Sequence, residues 1–250
     1  MRSSSAVRAV LFDLDDTLFD HHHCARTALG MLHRRHDCFR SLEFAAFEQA
    51  HGRYLEELHQ VVLAGRLDLD SARHERFRRL YAHAGVTADQ ETVGAAATAY
   101  RQEYMAARTA VAGAEALLAQ VRRHARVGVV SNNLRDEQDE KLRHCGLDRF
   151  VDVLVVSEEV GAAKPDPEIF RVALDRLECS PDEAVMVGDS WAADIVGARQ
   201  LGIRAVWFNR GSRPAPEPES LIQEIAAFEP VEDAIGVILG SRLPGGPGSS

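Results

Sequence analysis

The chain has 250 residues, 46% of them hydrophobic, with 29 basic against 38 acidic side chains and a net charge of -9. That hydrophobic fraction is ample for one large domain or two modest ones, and the acidic balance, with a pI near 5.7, argues against a nucleic-acid scaffold, which needs a basic face. Four scattered cysteines (Cys24, Cys38, Cys145, Cys179) lack CxxC spacing and read as reduced thiols of a cytoplasmic protein, and no apolar run approaches the roughly eighteen residues of a membrane span.

Residues 1–6 are small and polar and are expected to fray. The next stretch, Val7–Asp20 (VRAVLFDLDDTLFD), opens with a nearly unbroken apolar run, as in a strand buried on both faces of a parallel sheet. Asp13, Asp15 and Asp16 follow within four residues. Three carboxylates beside a hydrophobic strand repel one another and lose solvation, a cost that a cation or fixed donors must offset. Two readings stand at this point: a turn with helix-capping acids, or a metal-assisted site at the carboxyl end of a strand, where open α/β sheets hold their ligands. From Asp20 to Arg108 no strand-like run occurs. Apolar residues recur every three or four positions there, predicting helices from about Ala25 to His36, Leu42 to Val62, Ser71 to Ala84 and Asp89 to Ala106, in a bundle of their own.

Beyond Gly113, helices alternate with short apolar strands, the pattern of parallel βα units. Helices are expected over Ala114–His124, Asn133–Cys145 (closed by Gly146), Pro167–Leu177 and Ala192–Leu201 (closed by Gly202), and strands over Arg126–Val130, Asp152–Val156, Ala184–Val187 and Arg204–Phe208. With the first strand this makes five, and right-handed crossovers put all their carboxyl ends along one edge. Ala215–Glu219 reads as a surface connection and residues 241–250, rich in Gly, Pro and Ser, as a loose tail.

Just past the strand ends stand Asp13-Leu14-Asp15-Asp16-Thr17, Ser131-Asn132-Asn133, Lys164-Pro165, and Gly188-Asp189-Ser190 followed by Asp194. The carboxylates could hold one divalent cation, the hydroxyl and amide could hydrogen-bond an anion, and the lysine is a point positive charge. Singly, each has a plainer explanation: a serine after a strand is an N-cap, Lys-Pro is a loop and Gly-Asp is a turn. Together they form one pattern. DLDDT at Asp13–Thr17 resembles the DxDxT first motif of the haloacid dehalogenase (HAD) superfamily, Ser131 its second motif, Lys164 its third, and Gly188-Asp189 with Asp194 its GDxxxxD fourth.

This resemblance spans Val7–Asn209 and implies an α/β, Rossmann-like parallel sheet of order 5-4-1-2-3 flanked by helices. It implies a catalytic core from residues 7–19 and 96–240 and a small all-α cap over residues 20–95, which opens and closes over the site with hinges near Asp20 and Arg108–Gly113. The implied activity is a magnesium-dependent phosphomonoester hydrolase. Asp13 would be the nucleophile that forms an aspartyl-phosphate, and Asp15 the general acid and then base. Two residues of separation along extended backbone place both side chains on one side. Magnesium would be held by Asp13, Asp189 and the backbone carbonyl of Asp15. Leu14, Asp15, Ser131, Asn132 and Lys164 would surround the phosphoryl group, Lys164 also offsetting carboxylate charge, with Asp194 and Thr17 in support. Asp16 reads as a turn or N-cap acid.

Dehalogenases of the superfamily typically replace the second acid and need no magnesium, and its phosphomutases tend to carry a glycine and an apolar residue after it. Here Asp15 is followed by Asp16 and Thr17, so hydrolysis is the expected reaction. A 2-haloacid dehalogenase, a phosphotransferase or a non-catalytic binding module of the same fold are the alternatives. The expected partner is a small phosphorylated metabolite, such as a nucleoside monophosphate, a sugar phosphate or phosphoglycolate, with no nucleic-acid polymer and no membrane, on a monomer or homodimer. His21-His22-His23 stands where the chain enters the cap. Consecutive helical residues point about 100° apart, a poor geometry for chelating one ion, so the triplet reads as a solvated helix start, with contact between one histidine and the substrate as the alternative. Arg26, Arg53, Tyr54 and Arg108 read mainly as solvated bundle surface.

Overall fold

The apolar run at the head of the chain forms β1 (Ala9–Phe12), whose four residues are fully buried. The computed structural model describes residues 6–216 and 222–240. The expected tails, apart from Ala6, and residues 217–219 of the expected connection lie outside these. β1 is flanked in parallel by β2 (Arg126–Ser131) and β4 (Ala184–Gly188), with Phe12 level with both Val129 and Val187. β3 (Val153–Val156) continues the sheet beyond β2, and β5 (Arg204–Phe208) beyond β4. The expected order is therefore present. The expectation of five strands is corrected by a sixth, β6 (Gln223–Ile225), parallel to β5 at the outer edge. Two of its three residues are exposed, so it carries no apolar run to betray it.

The chain divides into two compact units, one running through Asp20 and from Ala110 onward, the other His21–Thr109. In the first, the sheet is joined by α6 (Ala114–Val121), α7 (Arg135–His144), α8 (Ser157–Val160), α9 (Pro167–Arg176), α10 (Gly197–Gln200) and α11 (Val231–Leu239). α9 shows why: Asp166 caps it by accepting from the Glu168 N–H, Pro167 supplies the first-turn φ, and Ile169, Phe170, Ala173 and Leu174 form one buried face against Leu11, Val130 and Met186. Each of the three large side chains, Ile169, Phe170 and Leu174, is worth about 1.5–3 kcal/mol relative to exposure. The helix expected over Ala192–Leu201 is corrected: Trp191–Val196 is a π-helical turn, continued by α10. The wider turn lets the Asp194 carboxylate fold back onto the Ser190 N–H, 2.9 Å away.

The second unit holds α1 (His21–Arg35), α2 (Asp37–Arg40), α3 (Phe44–Leu63), α4 (Leu69–His83) and α5 (Gln90–Ala106). Asp68 and Asp89 cap α4 and α5 by accepting from the Ser71 and Thr92 N–H groups. Its core is aromatic, built around Phe39, Phe47, Phe77, Tyr81 and Tyr100. The expected division of the chain at 95/96 is corrected, because it cuts through α5. That helix runs on past Gly94, and Ala96, Ala97, Tyr100 and Tyr104 all face inward in the helical unit.

Candidate active site

β1 delivers Asp13 to the carboxyl edge of the sheet, where its N–H donates to the Val187 carbonyl at 2.9 Å. β2 and β4 end beside it at Ser131 and Gly188. Lys164 reaches the same place from the loop between α8 and α9. Its ammonium donates to Asp13 Oδ1 at 2.5 Å and to the Val130 carbonyl at 2.6 Å, and forms an ion pair with Asp194 Oδ1 at 2.7 Å. Asn132 fixes the lysine's backbone: its Oδ1 accepts from the Lys164 N–H at 2.7 Å and its Nδ2 donates to the Lys164 carbonyl at 2.8 Å. Gly188 is required where it stands, since a Cβ there would collide with the Asp194 carboxylate.

Asp15 is held by Asn133 and by two residues outside the strand-end pattern, Gln138 and Lys141. Lys141 Nζ lies 2.6 and 2.8 Å from its two carboxylate oxygens, Gln138 Nε2 donates to Oδ2 at 2.9 Å, and Asn133 Nδ2 donates at 3.3 Å. Gln138 Nε2 also donates to Ser131 Oγ at 2.5 Å, joining the Asp15 carboxylate to the Ser131 hydroxyl. Gln138 and Lys141 stand one turn apart on α7 and are buried, with Leu142, in a helix that is otherwise charged (RDEQDEKLRH). The available signal was that a helix with a single apolar residue must turn polar groups inward.

Burial is the main force on the Asp13 carboxyl and raises it well above its ordinary value. Lys164 opposes this, and Asp194 and Asp189 add to it. Lys164 keeps its proton: burial works against the charge, but Asp13 and Asp194 outweigh it and push the ammonium above its usual value. Burial, then Asp194 and Asp16, push Asp189 up to about 7, with Arg213 relieving it only from 3.8 Å. Asp13, Asp189 and Asp194 each place one carboxylate oxygen within 4.8 Å of the others, the single such set of three His, Cys, Asp or Glu among the described residues. Three hard oxygen donors suit a small divalent cation. Asp13 and Asp189, both raised by burial and by Asp194, are the carboxylates that further positive charge would relieve most.

The remaining expected residues fall into place locally. Leu14 is fully buried and its carbonyl closes the turn, accepting from the Leu18 and Phe19 N–H groups at 2.9 and 2.8 Å. Asp16 is a turn residue with φ of 62°, and Thr17 is fully buried with no partner for Oγ1 among the described residues. The histidine triplet forms the first turn of α1, where His21 Nδ1 lies 2.8 Å from the Tyr104 hydroxyl. Arg26 pairs with Glu48 at 2.6 Å on the surface, and none of the four cysteines forms a disulfide among the described residues. No helix among the described residues is long and apolar enough to cross a membrane.

Comparison with known proteins agrees with this geometry. A family model, haloacid dehalogenase-like hydrolase, matches residues 7–202. The chain is 33% identical over 217 residues to the glyceraldehyde 3-phosphate phosphatase of Methanopyrus kandleri, covering 86% of this chain and 89% of that one. It is 45% identical over 108 residues to the phosphoserine phosphatase of Thermus thermophilus, a match that spans 43% of each chain. Among solved structures, the HAD-hydrolase YfnB of Bacillus subtilis, crystallised bound to magnesium, superposes with a TM-score of 0.71 at 25% identity, over 93% of this chain and 100% of that one.

Proposed function

The chain belongs to the haloacid dehalogenase-like hydrolases, and we propose that it is a magnesium-dependent phosphomonoester hydrolase acting on a small phosphorylated metabolite, such as a triose or other sugar phosphate, a nucleoside monophosphate or phosphoglycolate. The observation that carries this reading is the placement of two oriented carboxylates, Asp13 and Asp15, at one sheet edge, each on its own lysine. A hydrolase of carbon–halogen bonds has no leaving alkoxide to protonate and no use for the second acid. The phosphatases among the relatives support the same choice.

In this reading an Asp13 oxygen attacks phosphorus as the ester P–O bond breaks, giving an aspartyl-phosphate, and Asp15 gives its proton to the departing alkoxide. Water then attacks phosphorus, loses a proton to Asp15 and releases Asp13 and inorganic phosphate. Ser131, Asn132 and Lys164 receive the phosphoryl oxygens, while the Leu14 carbonyl closes the turn after β1, Thr17 fills its buried interior and Asp194 pairs with Lys164. Asp13, Asp189 and the Asp15 carbonyl would hold magnesium, which neutralises charge on the transferring group. The helical unit would serve as the cap that excludes water.

Phosphate release from p-nitrophenyl phosphate, assayed with magnesium and with a chelator, tests the reading alongside halide release from 2-chloropropionate. Magnesium-dependent phosphate release that Asp13→Asn abolishes is expected. Metal-independent halide release, or no turnover of either compound, would overturn it. A panel of phosphorylated metabolites then identifies the substrate.

A further inference from the structure

The helical unit, taken by itself, contains a second group of polar side chains that the proposed hydrolysis does not use. Among the described residues, two of its buried side-chain polar atoms lack a hydrogen-bond partner, and they are neighbours: Arg76 Nε and His51 Nε2. Both residues border the same aromatic pair. The Arg76 guanidinium carbon lies 5.4 Å from the Tyr100 ring centre and 5.6 Å from that of Phe77, and the His51 ring lies 5.0 and 6.2 Å from the same two rings. His51 is 2% exposed and Arg76 is 8% exposed. Three helices contribute, α3 with His51, α4 with Arg76 and α5 with Tyr100, while His21 on α1 reaches the group through Tyr104, whose ring stacks on Tyr100.

A guanidinium does not lose its proton in a protein, so its burial must be compensated by partners. The faces of Phe77 and Tyr100 return part of that loss. Besides burial, which disfavours its charge, Arg76 feels Tyr100 and Tyr104, which favour it, and Arg73 and Arg101, which do not. Among the described residues no carboxylate pairs with it. Burial, then Arg76 and His21, hold His51 well below its ordinary value, which leaves it neutral at pH 7 with one ring N–H to give. A buried cation and a neighbouring imidazole thus stand together in a positive field. An oxyanion, with charge and several acceptor lone pairs, is the chemistry that completes such a pair.

We propose that the helical unit binds a small oxyanion, a carboxylate or phosphate group, between Arg76 and His51. Two sources share this chemistry. One is a second anionic group on the phosphorylated substrate, a case that rests on the phosphatase reading above, and the other is a free ion.

The full chain labelled at histidine with 13C and 15N reports on the site directly, the His51 resonance being identified by its loss in His51→Asn. Inorganic phosphate and acetate are the probes. A saturable movement of that resonance is expected, with millimolar or tighter affinity, lost in Arg76→Met and restored with about tenfold weaker binding in Arg76→Lys. No saturable movement below about 50 mM in the wild-type protein overturns the site and leaves a water-filled structural cluster, whatever the variants do. The source is decided by kcat/KM for phosphoserine against phosphoethanolamine, which differ by one carboxylate. A preference for phosphoserine that Arg76→Met removes assigns the site to the substrate. Saturable binding without such a preference assigns it to a free ion. Since the resonance requires no turnover, failure of the phosphatase reading and failure of the oxyanion site give different results.

Discussion

Gln138 places one amide nitrogen between Ser131 Oγ, 2.5 Å away, and Asp15 Oδ2, 2.9 Å away. An amide oxygen there would face a carboxylate, so the orientation of the side chain is fixed by its neighbour. As an acceptor from Gln138, the Ser131 hydroxyl keeps its own hydrogen, which in the proposed reaction would go to a phosphoryl oxygen. Gln138→Leu removes this donor at similar volume, and a fall in kcat of about ten- to a thousandfold is expected in steady-state assays. A second consequence at this scale concerns pH. The folded protein holds the Asp189 proton up to about 7, whereas the unfolded chain releases it near pH 4. Between those values the folded state binds more protons, so the contribution of Asp189 to stability falls as pH rises through the window. Magnesium held there, as the proposed function has it, would take the proton's place and offset that loss. Between about pH 5 and about pH 7.5, the metal-free Tm of wild type is expected to fall relative to that of Asp189→Asn, while the rise in wild-type Tm on adding magnesium grows. A magnesium effect equally large in the variant would show that Asp189 is not a ligand.

At the scale of elements, what was legible depended on whether a residue's job is repeated along the chain. Strands buried on both faces are apolar throughout, so β1 to β5 were readable, and the motif residues stand directly after them. β6 was not readable, because an edge strand of three residues with one buried side chain has no pattern to show. The end of the helical unit was misplaced although the helix crossing it was expected, since a helix carries no mark of which unit its inner face serves. α7 reads as a solvated helix laced by pairs such as Arg135–Asp139, yet it turns Gln138 and Lys141 inward. The π-helical turn after β4 depends on Gly188, whose missing Cβ leaves room for Asp194 to lie against the strand end. Gly188→Ala forces that carboxylate away from Lys164. A loss of about 1–3 kcal/mol in urea denaturation is expected, as for other overpacked interiors, and it should be accompanied by a fall in activity.

Across the whole molecule, the distribution of positive charge carries information that no local window holds. Of 29 basic side chains only two are lysines, Lys141 and Lys164; the rest are arginines. Both lysines are buried, 6% and 5% exposed, and each holds one aspartate of the first motif, Lys141 on Asp15 at 2.6 Å and Lys164 on Asp13 at 2.5 Å. Arginine serves surface pairs well because its planar fork suits carboxylates, but a compact ammonium can send three donors in three directions. At Lys164 those directions are Asp13, Asp194 and the Val130 carbonyl. Lys164→Arg is therefore not conservative, and a loss of about 10²–10³ in kcat is expected even with the charge retained. The same arrangement makes the lysines reporters of the intact site. Acetic anhydride applied to the folded protein should leave Lys141 and Lys164 unmodified by peptide mass spectrometry, and urea should expose both together, since each is locked to an aspartate on the same turn after β1. Acylation of Lys141 in the folded protein with Lys164 still protected would show that the clamp on Asp15 opens independently, and that the two carboxylates are not held as one unit.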